Sequence, residues 1–92
     1  MNFNSLQLAA DNVITAIDAN PPQQTSVDVL ASIKNQMVFI RNKAAAGQNP
    51  AAELPAGTTF TYAVLASREL ASPDELALQA MIDKVSTFLV NK

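Results

Sequence analysis

The chain contains no cysteine, no histidine and no tryptophan. Without cysteine there is neither a disulfide framework nor a thiolate metal site, which fits a reducing compartment. Losing histidine as well removes the commonest general base near neutral pH, the commonest metal ligand and every Ser-His or Cys-His pair, so hydrolase triads are excluded. Chemistry is left to carboxylates, lysines and hydroxyls, and an enzyme becomes the less favoured class. Glycine is scarce: only Gly47 and Gly57 are present, and neither opens a helix after a strand as a phosphate-cradling loop requires. No uncharged apolar run approaches the ~18 residues needed to span a bilayer. The opening Met-Asn-Phe-Asn-Ser-Leu-Gln lacks the basic start and apolar centre of a secretory signal. A soluble cytoplasmic protein without cofactor or metal is expected.

Charge points the same way. The formal net charge is -2 and the pI about 4.7, with the basic residues Lys34, Arg41, Lys43, Arg68, Lys84 and Lys92 scattered among carboxylates. Nucleic-acid and membrane-surface binders carry a concentrated basic face to replace counterions, and no such face is present. The 92 residues predict one domain, 1–92, able to bury only roughly 60 to 65% of its unfolded surface.

What is present is helical periodicity. Asn4 is a candidate cap for a first helix, with Gln7 three residues on and an apolar stripe of Leu6, Ala10, Val13, Ile14 and Ile17. Asn20-Pro21-Pro22 stops it. Thr25 or Ser26 starts a second helix, in which Leu30, Ile33, Met37, Ile40 and Ala44 recur at steps of three and four. Val38 and Phe39 widen its apolar surface, so it either packs on two neighbours or leaves a patch for another protein. Gly47 to Gly57, with two prolines, is a loop long enough to hold a short turn. From Thr58 to Val64, Phe60, Tyr62 and Val64 alternate with smaller residues as in a strand. No second strand exists to pair with it, so a third helix over Thr58 to Ala71, capped by Thr58 or Thr59, is expected. A fourth runs from Pro73 to about Val90, with Leu78, Met81, Ile82, Val85 and Leu89 inward and Asp74, Gln79, Asp83 and Lys84 outward. Short links make the expected fold an all-α bundle of four helices arranged as two antiparallel hairpins.

The corner from Ala66 to Leu76 joins the last two helices. Ser72 is a good N-cap, Pro73 suits the first helical position and Glu75 completes a capping box. Asp74 and Glu75 are adjacent, hence about 100 degrees apart on a helix, which is wrong for a metal pair. Arg68 suits the C-terminal end of the third helix, but Glu69 opposes its dipole and needs another reason: amides at the start of the next helix, a nearby base, or a partner. Lys34 and Arg41 share a face of the second helix with Lys43 nearby, as a solvated face or a surface for an acidic ligand.

Val29-Leu-Ala-Ser-Ile-Lys-Asn-Gln-Met-Val-Phe-Ile-Arg-Asn42, Tyr62-Ala-Val-Leu-Ala-Ser-Arg-Glu-Leu70 and Ser72-Pro-Asp-Glu-Leu-Ala-Leu-Gln-Ala80 together resemble the small helical immunity proteins of bacterial type VI secretion. The similarity is greatest to those that neutralise an NAD(P)+ glycohydrolase toxin, and it spans roughly two thirds of the chain, with a departure at the Thr-rich stretch from Thr58 to Thr61. The resemblance implies a non-catalytic protein that binds a cognate toxin and blocks its active site or substrate access. Phe39 and Tyr62 are then candidate aromatic anchors, and Gln36, Arg41, Arg68, Glu69 and Asp74 candidate polar contacts, Glu69 first among them. Two other readings remain open: an assembly module whose homodimer buries the Val38 and Phe39 face, and a small enzyme using paired carboxylates.

Overall fold

A computed structural model of the protein describes residues 2–20, 25–54, 60–70 and 73–90; the side chains of Ala51, Glu69, Pro73, Asp74 and Val90 fall outside that description. The first helix, α1 (Phe3–Ala19), begins two residues earlier than expected. Its cap is Asn2, not Asn4, and the Asn2 side chain accepts the Ser5 amide at 3.0 Å. The earlier start brings Phe3 onto the helix and against the core, a gain in buried apolar surface that a start at Asn4 would forgo. Leu6, Ala10, Val13, Ile14 and Ile17 are buried as the stripe requires, and Ala9 joins them.

The second helix, α2 (Val27–Ala45), is capped by Ser26, whose hydroxyl accepts the Asp28 amide at 3.2 Å. Leu30, Ile33, Met37, Ile40 and Ala44 are its buried residues, the seam legible in the sequence. It ends where Gly47 takes φ +74°. The Gly47 amide then bonds Ala44 O and the Gln48 amide bonds Lys43 O, which is the paired closure of a Schellman motif and needs the left-handed backbone glycine supplies. Two ion pairs set the register on α1: Lys34 to Asp18 at 2.6 Å and Arg41 to Asp11 at 3.3 Å. A step of seven residues up α2 moves the partner seven residues down α1, so the two helices form an antiparallel hairpin.

The long loop folds partly onto the body: Pro50–Glu53 form a 3-10 turn packed on α2, and Pro50 is fully buried. The third helix is shorter than expected. It covers Tyr62–Glu69, while Thr58 and Thr59, the expected caps, lie outside the described residues. The alternation of Phe60, Tyr62 and Val64 is not a strand pattern in practice, because Tyr62 is buried and Val64 is 52% exposed. Tyr62, Ala66 and Leu70 are the buried positions, a spacing of four that belongs to a helix.

The fourth helix, α4, spans Pro73–Val90. Leu78, Ile82 and Val85 face the core as expected and Leu89 packs against it, but Met81 does not: it is 38% exposed. Met81 is three residues after Leu78 and four before Val85, which puts it on the edge of the seam, about 60 degrees round from Leu78 and on the side away from Ile82. Each helix packs on its neighbours in sequence and α4 closes on α1, so the four surround one apolar core and, among the described residues, no strand is present. Glu75 has a tertiary partner. Its carboxylate, 3% exposed, accepts a hydrogen bond from the buried Thr25 hydroxyl. Ser72, the other half of the expected capping box, lies outside the described residues. The Thr25–Glu75 bond places the α1–α2 link and the start of α4 at the same end of the bundle.

Candidate partner-binding surface

Three stripes divide the surface of α2, and each meets a different neighbour. Leu30, Ile33, Met37, Ile40 and Ala44 form the stripe that enters the core. Lys34 and Arg41 form a second stripe facing α1, where both are spent on Asp18 and Asp11. Ser32, Gln36, Phe39 and Lys43, again at steps of four and three, form a third stripe toward residues 60–62.

Gln36 is the centre of this third stripe. Its side-chain carbonyl accepts the backbone amides of Thr61 at 2.8 Å and Tyr62 at 2.9 Å, and its amide nitrogen donates to Thr61 Oγ1 at 3.0 Å. Thr61 holds the N-cap position of α3 but its own side chain makes no capping bond. A residue 25 positions earlier in the chain therefore does the capping, satisfying amides that an eight-residue helix would otherwise leave unmatched.

Below it runs a row of aromatic rings. Phe39 meets Phe60 edge-on with centroids 5.9 Å apart, and Phe60 meets Tyr62 at 6.0 Å. The Lys43 ammonium sits over the outer face of Phe39, 5.6 Å from its centroid. Tyr62 closes the row from inside: it is 3% exposed, and its hydroxyl shares a 3.0 Å hydrogen bond with Ser86 on α4. Burial raises the Tyr62 pKa above the ordinary tyrosine value, the Ser86 bond opposes that shift and the nearby Asp83 charge adds to it. Phe39 and Phe60 remain half-buried, so part of the row is open to a partner. Val38 packs against the core and Phe39 against Phe60. The broad apolar face of α2 is thus explained in large part by two helical neighbours.

The structure brings Gln36, Phe39 and Tyr62 together and places Arg41 elsewhere, on the α1 side. Arg68 is exposed near the end of α3 and makes no ion pair or hydrogen bond to a described residue. Glu69 ends α3 and Asp74 is the second residue of α4, with side chains outside the described set. Phe60, Thr61 and Ser86 complete the surface and were not singled out as contacts from sequence, whereas Lys43 was, as a basic residue near Lys34 and Arg41. The structure sets Lys43 on the Gln36 face, seven residues along the helix, and not beside Lys34 and Arg41.

A family model for Tsi6, immunity proteins of type VI secretion, matches residues 6–91. The chain belongs to the Tsi6 family. No curated protein and no solved structure matches it. The Tsi6 match spans all four helices, well beyond the segments that carry the resemblance in the sequence, and the role of the family is neutralisation of a toxin. Among the described residues of this Tsi6-family protein, no helix is long and apolar enough to cross a membrane. No group of three or more carboxylates among them is placed to hold a metal ion.

Proposed function

We propose that this Tsi6-family protein binds its cognate toxin in the cytoplasm and covers the toxin's active site or substrate path, and that the toxin is an NAD(P)+ glycohydrolase. The family match over residues 6–91 carries the immunity reading; the finer assignment of toxin and mechanism rests on the sequence resemblance. Function by binding is consistent with a chain that has no histidine or cysteine to do chemistry.

The contacts are assigned by what each side chain is free to do. Phe39 offers a half-buried ring backed by Phe60, an anchor that is already ordered before binding. Arg68 is an exposed guanidinium with no described partner, and Glu69 and Asp74 flank it in sequence at the α3–α4 corner. Gln36 and Tyr62 hold the aromatic row in place, and Arg41 reaches the partner only from the α1 side. The test is calorimetric binding to a catalytically inactivated form of the toxin encoded beside this gene. Arg68→Ala and Glu69→Ala are expected to weaken it by at least about tenfold, the range for interface hot spots. Unchanged affinity for both removes the corner from the interface, and a toxin without NAD(P)+ hydrolysis in its active form removes the glycohydrolase assignment.

A further inference from the structure

A second surface lies on the α1 side of α4, away from the aromatic row. An open groove runs there between the two helices, with one lobe of about 390 Å³ and another of about 150 Å³ that share Ala9, Asn12 and Lys84. On α1 its lining runs from Ser5 to Ala19, about 21 Å at 1.5 Å per residue. Small side chains at Ala9 and Ala16 keep the floor low, while Leu8, Met81 and Phe88 supply apolar walls. Leu8 is 62% exposed and Met81 38% exposed, so these two side chains are not used by the core, while Ala16 and Phe88 are only partly buried against it.

Among the described residues, Lys84 is the only charged one in the lining. Lys34 and Arg41 are matched by Asp18 and Asp11, and Lys43 by the Phe39 ring. Lys84 makes no ion pair or hydrogen bond with any described residue. A cation in the middle of a mostly apolar trough about 21 Å long is complementary to an amphipathic helix with a carboxylate on its apolar face.

We propose that the α1/α4 groove receives a helix of the toxin, with apolar side chains over Ala9 and Ala16 and an Asp or Glu meeting Lys84. This rests on the immunity reading and extends it to a surface that the sequence did not mark. A second copy of the chain fits the groove poorly. A two-fold contact of the groove with itself sets the two Lys84 ammonium groups toward each other, with no carboxylate among the described lining residues to offset them. The Ala19 and Met81 end of the groove also lies toward the end of the bundle that holds the α3–α4 corner, as the Thr25–Glu75 bond shows. One partner can therefore cover both.

The test measures binding of the inactivated neighbour-encoded toxin to wild type, Lys84→Glu and Leu8→Glu, with helix content and melting checked for each. Both positions are exposed and make no polar contact with described residues, so folding should survive. Each substitution should weaken binding by about tenfold or more, and an acidic-to-lysine change in the toxin helix should restore affinity to Lys84→Glu but not to Leu8→Glu. Wild-type affinity in both variants overturns the groove assignment and leaves the immunity reading standing. Absence of binding by the wild type overturns both. Light scattering that shows a wild-type dimer broken by Lys84→Glu would assign the groove to a second copy instead and overturn the proposal.

Discussion

Removing the Gln36 side chain should cost the protein its third helix cap, and the cost can be worked from the contacts. In Gln36→Ala two backbone amides lose their acceptor, Thr61 at 2.8 Å and Tyr62 at 2.9 Å. Thr61 is exposed and its amide is rehydrated at little cost, whereas the Tyr62 amide is part-buried. An unsatisfied buried donor costs about 1–3 kcal/mol and the loss of an N-cap about 0.5–2 kcal/mol. These describe the same lost bonds, so the expected destabilisation is about 2 kcal/mol, or roughly 8–16 °C in melting temperature for a domain of this size. An isolated helix of eight residues is below the length that is stable alone, so the effect should concentrate in the α3 segment.

Gln36→Glu sharpens the test. A carboxylate still accepts both amides and is favoured by the positive end of the α3 dipole, while Thr61 can turn its hydroxyl to donate. Most of the stability should return at neutral pH and be lost as pH falls from the ordinary carboxyl value of about 4.3 through the lower value that the two amides give the folded carboxylate. The assay is urea unfolding of wild type, Ala and Glu variants at pH 7 and across the acid range below about pH 4. A Gln36→Ala loss below about 0.5 kcal/mol, under the usual range for removing a cap to alanine, or a Glu variant as unstable as the Ala variant, would refute the capping role and leave Gln36 as a candidate partner contact.

Tyr62 is the only tyrosine, so its ionisation can be followed by absorbance without interference. Burial raises its folded pKa above the ordinary 10.0, which means the stabilisation linked to the neutral phenol is fully present below pH 10.0 and is lost as pH rises through the folded value. Wild type should therefore lose more stability than Tyr62→Phe on passing into that alkaline range, and parallel stability curves for the two would contradict the assignment. The Arg41–Asp11 pair is predicted to be weak. Its side chains are 33% and 50% exposed, and a double-mutant cycle should give a coupling of about 0.2–1 kcal/mol that shrinks with added salt. A coupling above about 2 kcal/mol would show the pair to be far better shielded than these exposures allow.

The helices and the core were largely legible along the chain. The α2 seam of Leu30, Ile33, Met37, Ile40 and Ala44 needed nothing but its spacing, because a 3.6-residue period aligns those side chains whatever they pack against. The same logic read α1 nearly in full, and the lack of a pairing strand was enough to make 62–69 helical. Boundaries were less legible. Asn2 and Asn4 are equally good caps by type, and the choice between them depended on whether Phe3 had a core to enter. Met81 was misplaced because periodicity reports a helical face but not how wide the neighbouring helix makes the contact.

The candidate surface was least legible of all. Gln36, Phe39 and Tyr62 were visible as individual residues, and only tertiary packing revealed Gln36 as the acceptor for amides 25 residues away and Tyr62 as a buried strut on Ser86. Arg41, similar to Lys34 in the sequence, was sent to α1 by the antiparallel register. Composition and period alone determined an all-helical chain without the residues for histidine or thiol chemistry, since those follow from local backbone preference and residue identity. Which side chains are consumed inside the bundle and which stay available, among them Lys84 in its groove, depends on contacts between residues far apart in the chain, and those exist only once the four helices close on one core.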